Sequence, residues 1–377
     1  MTTTSRQGQP ASRRTWSRRR FLKRAGAAGG VALAGALPGV LSMADHGPCA
    51  QVANKTIQWI VPFSAGGGYD LYSRLIQPFY ERKIGAQIAV TYAPGGGGIV
   101  GATTLQQADA DGLTQGILNA SGLLVAALTG EVQAPNPGTD FTILGRVVRD
   151  QSVWVTGPDS PFQTMEHLLA RAREHPVLFG ISEVGSTNFV SIAIGSSLLG
   201  IDAQYVAGFP GSSETSLAVI RGEVDLTSLT YESVLDLIEA GDLRPLLQIS
   251  VEPISTHPAL DGVALLGGAQ GVAAGQAEAL GRSVEQATAQ AQALASLIGL
   301  GRLIAAPPGM EKSLFHCLEQ GLHEALTDPE FVAAAAEAQR SLDVARADVV
   351  LAEFDAAIEQ AAGFVPIVQA AIDQVRG

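Results

Sequence analysis

The chain predicts an α/β protein of two units, each built on a largely parallel sheet. Three observations point there. From Thr56 onward, short apolar runs alternate with helical patterns, the order in which βαβ units are laid down. At 377 residues the chain has the length of two ordinary domains with ample core. The segment 141–161 then breaks the alternation with one long extended stretch ending in turn residues, where the first unit gives way to the second.

The first 44 residues stand apart. They hold eight basic residues and no acid. SRRRFLK at 17–23 has the form of a twin-arginine export signal, and Ser42 and Ala44 place small residues at the cleavage positions. A basic tail before a membrane anchor is the alternative. The run 25–41 opposes it, because five glycines and Pro38 leave it too short and too polar to span a bilayer. We expect export to the periplasm, with cleavage between Ala44 and Ala50.

The remaining elements follow in order. TIQWIVPF (56–63) is a strand ending near Pro62. Leu71, Leu75 and Phe79 recur every four residues and predict a helix that Pro78 kinks or stops. QIAVTYAP (87–94) and TQGILNA (114–120) are further strands. TMEHLLARAREH (164–175) is a helix capped by Thr164, and VLFGIS (177–182) is a strand. SLAVIRGEVDLTSLT (216–230) and SVLDLIEAGDLRPLLQIS (233–250) each run from helix to strand, with Gly241 stopping the second helix. Residues 265–300 are rich in Ala, Gln and Gly. Val284, Ala287, Ala291, Leu294 and Ile298 predict an amphipathic helix whose small face suits close packing on another helix. GLGRLIAAPPGM (299–310) returns to strand and turn, and the rest is helical, with one start marked at 327–329.

Charge and motifs exclude several classes. The chain has 24 basic and 36 acidic residues, a net charge of −12. Without the first 44 residues it is 16 against 36, or −20. That balance opposes nucleic-acid and anionic-membrane binding. No G-x-x-x-x-G-K-[ST] or G-x-S-x-G pattern occurs, SAGGGYD does not match G-x-G-x-x-G, and the six histidines have no paired metal spacing, so no cofactor is expected. Cys49 and Cys317 could pair in an exported protein, and free thiols are the reading preferred over that pairing.

Three loops share one design of strand, glycine or small polar residues, then helix. They lie at 64–70, 94–101 and 183–188. Such junctions leave backbone N–H groups bare at a helix start, where the dipole favours negative charge. In parallel sheets they sit at the carboxyl ends of the strands, where ligands bind. Charge-assisted bonds of about 1.5–3 kcal/mol each would hold a small anion near micromolar strength, about −8 kcal/mol. A chain this acidic has no global field to attract anions, so local dipoles must do it.

VPFSAGGGYDLYSRLI resembles the opening signature of the Bug-type solute receptors of tripartite tricarboxylate transporters. Val61, Pro62, Phe63, Ala65, Gly66, Gly67, Asp70 and Arg74 match it. APGGGGIVGATTLQQADADG, RGEVDLTSLT, IEAGDLRPLLQIS and the stretch from AAPPGM to LTDPEF are similar to later family segments, so the likeness spans about 56–360. The resemblance implies a two-domain periplasmic-binding-protein-like (type II) fold, each domain a sheet flanked by helices, joined by two crossovers. Domain 1 would combine 51–144 and 249–377, with 265–300 as an insert, and domain 2 would be 145–248.

The resemblance also implies a non-enzymatic, monomeric receptor that grips a small organic carboxylate and serves membrane subunits of the tripartite type. Its ligand residues would be Phe63, Ser64, Ala65, Gly66, Gly67, Gly68, Tyr69 and Asp70, with Gly185, Ser186, Thr187 and Asn188, lined further by Ser121, Gly208 and Gly211. Asp70 has a structural reading as well, capping its helix and pairing with Arg74. The alternatives are a sensor of the same fold and an exported enzyme. Tyr69, the missing asparagine in GGGGIVG, Asn188–Phe189 and the long segment 265–300 depart from the family pattern and leave the substrate open.

Overall fold

Two six-stranded sheets of matching plan hold the described residues together. The computed structural model describes residues 48–130, 134–255 and 257–377. The expected export signal, residues 1–44, lies outside them. The strands are β1 Thr56–Val61, β2 Gln87–Tyr92, β3 Thr114–Asn119, β4 Thr142–Val148, β5 Ser152–Thr156, β6 Val177–Gly180, β7 Ala203–Val206, β8 Leu226–Thr230, β9 Arg244–Gln248, β10 Ala264–Leu265, β11 Arg302–Ala306 and β12 Ala345–Arg346. The first sheet has the order β12-β4-β11-β3-β1-β2 and the second β10-β9-β5-β8-β6-β7.

In each sheet one strand that has just crossed from the other unit runs against both its neighbours, and in the first sheet the edge strand β12 is antiparallel to β4 as well. β5 is antiparallel to β8 and β9, and β11 is antiparallel to β3 and β4. Around them β1 pairs in parallel with β2 and β3, and β6 with β7 and β8. An antiparallel strand begins where its parallel neighbours end. Ser152 and Arg302, the first residues of β5 and β11, therefore start at the same end as the carboxyl tips of the parallel strands.

Helices follow the parallel strands as the alternation predicts: α1 Gly68–Ile84, α2 Ile99–Gln106, α3 Ala120–Leu128, α4 Met165–Ala172, α5 Thr187–Leu199, α6 Ser212–Ile220 and α7 Tyr231–Glu239. Later come α8 Val272–Gln276, α9 Val284–Ile298, α10 Lys312–Leu326, α11 Pro329–Glu337, α12 Ala347–Ala362 and α13 Val365–Arg376.

α1 corrects two expectations. It continues through Pro78 without stopping; the proline lies on the exposed side, where the freed Arg74 carbonyl can tilt towards water. Its buried stripe is Tyr72, Ile76, Phe79 and Tyr80, so Leu71 and Leu75 are only half-buried. Trp59 fixes that face by donating to Ser73 Oγ at 3.0 Å.

The second core forms around α5, which is buried on nearly every side. It packs on β8, on α9 and α13, and on α3 of the first unit. α9 starts with a capping box at Ser283 and Gln286 and buries Ala287, Ala291, Leu294 and Ile298, as its spacing predicts. Val284 does not belong to that face; it is 52% exposed. The second sheet also keeps the chain beyond Gln248, because β10 adds beside β9. The return to the first sheet is made between Leu265 and Arg302, through the alanine- and glutamine-rich segment.

Cys49 and Cys317 are not free thiols, as the sequence suggested. They form a disulfide with Cα atoms 5.5 Å apart across 268 residues. The short turn Pro48–Gln51 lies against α10, and this brings Cys49 to Cys317. A bond closing so long a loop restricts the unfolded chain strongly. The double variant C49S/C317S should lose about 2–4 kcal/mol of unfolding free energy. Urea titrations of the two proteins measure this, and coincident midpoints would show that the bond adds nothing.

Candidate functional site

Four helices begin at one cavity. α1 and its N-cap Gly67 come from the first sheet. From the second sheet come α5 with N-cap Ser186, α6 beginning at Ser212, and α7 following Thr230. Gly67, Gly68, Ser186, Thr187, Ser212 and Thr230 all line this cavity, which has a volume of about 60 Å³. At roughly 10–15 Å³ per water, it has room for about four to six waters or a small organic molecule. Three of the helices, α1, α6 and α7, have no side chain capping their first turn. Their leading N–H groups are the donors a helix cannot satisfy internally, and of these the Tyr231 N–H of α7 is already taken by the Gln151 carbonyl at 2.8 Å.

Seven of the residues expected from the sequence line the cavity: Phe63, Gly67, Gly68, Tyr69, Ser186, Thr187 and Asn188. The other eight are elsewhere. Asp70 is buried at 4% and takes the Gly66 N–H at 2.8 Å, Arg74 Nε at 2.8 Å and Tyr92 OH at 2.8 Å, so its place is structural. Ser64 donates to Glu214 Oε2 at 3.0 Å, and its N–H meets the Pro210 carbonyl at 3.2 Å, tying the two units together. Ala65 and Gly66 are exposed. Ser121 Oγ lies 3.0 Å from Thr187 Oγ1, and the Gly185 carbonyl accepts from Asn119 Nδ2 at 3.1 Å. Gly211 caps α6, and Gly208 faces a neighbouring groove with Phe63, Pro94 and Phe209.

Sequence reasoning missed Ser152, Ser182, Ser212, Ser228, Leu229, Thr230, Ser233 and Arg302. Most are small hydroxyl residues without a motif of their own. Arg302 carried a signal, as a lone cation opening an otherwise apolar strand.

That arginine dominates the electrostatics of the site. It is 1% exposed, and its Nε donates to Asp150 Oδ1 at 2.9 Å. Its guanidinium makes cation–π contacts with Tyr69 and Tyr72, with ring centroids at 4.6 and 4.9 Å. Burial pulls its pKa down, but Asp150, Tyr69, Tyr72 and Glu232 together outweigh this and hold it above the ordinary arginine value. Burial, reinforced by the Asp150 charge, lifts Tyr69 well above the usual tyrosine range. Asp150 also accepts from Thr230 Oγ1 at 3.2 Å and Tyr69 OH at 3.4 Å. Two buried donors on the cavity wall have no partner in the protein, Arg302 Nη1 and Asn188 Nδ2.

The third glycine of the GGG run now has a reason. A Cβ at Gly68 would lie 2.7 Å from Arg302 Nη1 and would collide with Ser233 Oγ. The next glycine run serves another purpose. A Cβ at Gly97 would stand 2.5 Å from the Ser186 nitrogen of the opposite unit. Gly122 on α3 is equally tight against Gly185 and Ser186. These glycines let the two units touch over the cavity.

Two α/β units closed over a cavity lined by helix N-termini define a two-lobed binding protein. The chain belongs to the tripartite tricarboxylate transporter family of receptors, TctC, whose family model matches residues 73–280, more than half of its length. A curated relative, the UPF0065 protein in the tcbD-tcbE intergenic region of Pseudomonas sp. (strain P51), is 28% identical over 58% of this chain and 64% of its own. The chain thus spans less than two thirds of that relative's length. Among solved structures, the periplasmic binding protein BugD superposes with a TM-score of 0.67 at 18% identity, over 83% of this chain and 97% of its own. MatC (Rpa3494) from Rhodopseudomonas palustris with bound malate superposes at 0.64 and 20% identity, over 83% and 99%. At these identities the match establishes the two-domain fold.

Two outcomes follow from the site. Alanine at Gly122 favours helix α3 by about 1 kcal/mol in isolation yet blocks its contact with Gly185. G122A should therefore stay folded but expand, and small-angle scattering should show a larger radius of gyration; an unchanged radius would mean the contact does not hold the lobes. Glu232 is 2% exposed with both carboxylate oxygens unpartnered, and burial raises its pKa. A carboxyl raised on folding contributes fully below its unfolded pKa, and that contribution is lost as pH rises through the folded pKa. E232Q should thus unfold at a higher temperature than the parent at about pH 7.5 and at nearly the same temperature at about pH 4. Equal gains at both values would place its effect elsewhere.

Proposed function

We propose that this protein is an extracytoplasmic receptor that captures a small organic carboxylate between its lobes and delivers it to a membrane transporter of the tripartite tricarboxylate type. The convergence of four helix N-termini and two unpartnered buried donors on one small cavity carries this reading. Every one of those groups donates hydrogen bonds or positive potential, which suits an acid. Family membership supports the class of ligand, and MatC, of the same fold, holds malate. Export to the periplasm is supported by the composition of residues 1–44, and no helix among the described residues is long and apolar enough to cross a membrane.

We read binding rather than catalysis from the state of the ionisable groups. Arg302 stays charged and Tyr69 stays protonated at neutral pH, so neither moves a proton there. The contacts of Gly97 and Gly122 with the other lobe describe a closed form, and release requires parting them. Closing on the ligand excludes water and strengthens each amide contact.

The test is thermal unfolding of the processed protein with a panel of carboxylic acids of about two to six carbons, sizes that fit the cavity. An acid at about 100 times its Kd adds about 2.7 kcal/mol, which raises Tm by on the order of 5 °C. A folded sample that responds to no acid would overturn the receptor reading.

A further inference from the structure

We propose that Arg302 selects the charge of the ligand: its free Nη1 edge takes an anionic oxygen of the bound acid and so sets the preference for an acid over its uncharged amide. This rests on the receptor reading above, and it assigns that reading's discrimination to one side chain.

The guanidinium has two faces and three nitrogens, and almost all of it is occupied. The rings of Tyr69 and Tyr72 lie against it, with centroids 4.6 and 4.9 Å from its central carbon. Nε is held by Asp150 at 2.9 Å, and Nη2 meets Ser233 Oγ at 3.3 Å. Nη1 has no partner in a side chain that is 1% exposed and lines the cavity. A buried donor left unmade is costly, so a lining position for one calls for an acceptor that arrives with the ligand.

Its location fixes what that acceptor is. Nη1 lies beside Gly68, the first residue of α1, close enough that any Cβ there would stand 2.7 Å away. An oxygen bound at this place meets the bare leading amides of α1 and a permanent cation together. Asp150 positions the guanidinium and is itself held by Thr230 and Tyr69. Because Asp150 cancels the charge of Arg302 at a distance, the cation acts only on a group in direct contact. A carboxylate gains that contact in full, while an amide of the same shape offers one neutral carbonyl.

The experiment is calorimetry on the processed chain, titrating succinate, malate and lactate and then the corresponding amides. The variant R302M/D150N removes both charges at once, so that neither is stranded in the interior. Its acid-over-amide preference should fall by about 10- to 100-fold relative to the parent, with amide affinities within about threefold. R302K restores a cation without the planar fork and should recover part of the preference. A folded double variant that keeps the parental preference within about threefold overturns the proposal. If the double variant does not unfold cooperatively, R302Q/D150N, which removes both charges with polar replacements, decides alone, and an unchanged preference in it is equally fatal. A folded parent that binds none of the acids overturns the receptor reading and this inference with it. Acids bound with a preference indifferent to Arg302 overturn this inference and leave the receptor standing.

Discussion

The buried pair of Arg302 and Asp150 is the constraint around which the cleft is arranged. Both side chains are about 1% exposed, so each charge has given up water and depends on the other. Asp150 lies in the first crossover, between β4 and β5, and Arg302 opens β11 at the end of the second. The pair therefore joins the two connections that bind one unit to the other. Thr230 and Ser233 fasten it to the second unit, and Tyr69 and Tyr72 fasten it to α1 of the first. Replacing one partner alone would strand the other charge at the back of the cavity, where both packing and the site would suffer.

From that pair follows how so acidic a chain could hold the acid proposed for it. The net charge of the chain, −12, repels anions at long range, but at physiological ionic strength this field fades within about 8 Å. Inside the cavity a bound acid would meet helix N-termini and one fixed cation, and little of the surface charge. Glu232, the carboxyl buried near Tyr72 and Arg302, is pushed by burial towards its neutral form, so it weakens that positive potential less than its proximity suggests.

The sheets and their helices were legible in the sequence because apolar periodicity is a local property. β1, β2, β3, β6, β9 and β11 fall where alternation placed them, as does α9 with its alanine face. What failed was non-local. Pro78 stops a helix by local rules, but tertiary packing of Tyr72, Ile76 and Tyr80 holds α1 together through it. Cys49 meets Cys317 only because the chain folds back across 268 residues. Half of the expected site was placed by the GGG and GSTN loops. Ser152 and Ser228 were invisible because they reach the cavity from the crossover strand β5 and from within β8, which no linear motif marks, and Arg302 was marked only as a lone cation opening the other crossover strand.

The glycines divide into two populations that the sequence could not separate. Gly67 and Gly68 border the cavity, one as an uncapped helix start and the other as clearance for Arg302 and Ser233. Gly97, Gly122 and Gly185 do not line it; they are the points where main chain meets main chain across the lobes. Similar runs arise for opposite reasons, bare donors in one case and bare surface in the other. The second population makes closure a matter of backbone contact, and a contact without side chains cannot adapt by changing rotamer. A methyl group there is thus expected to act on the opening equilibrium, whereas one at Gly68 acts on the ligand's own surroundings. Affinity in such a receptor is the product of both, because ligand held in the open form lacks the second lobe's share of donors.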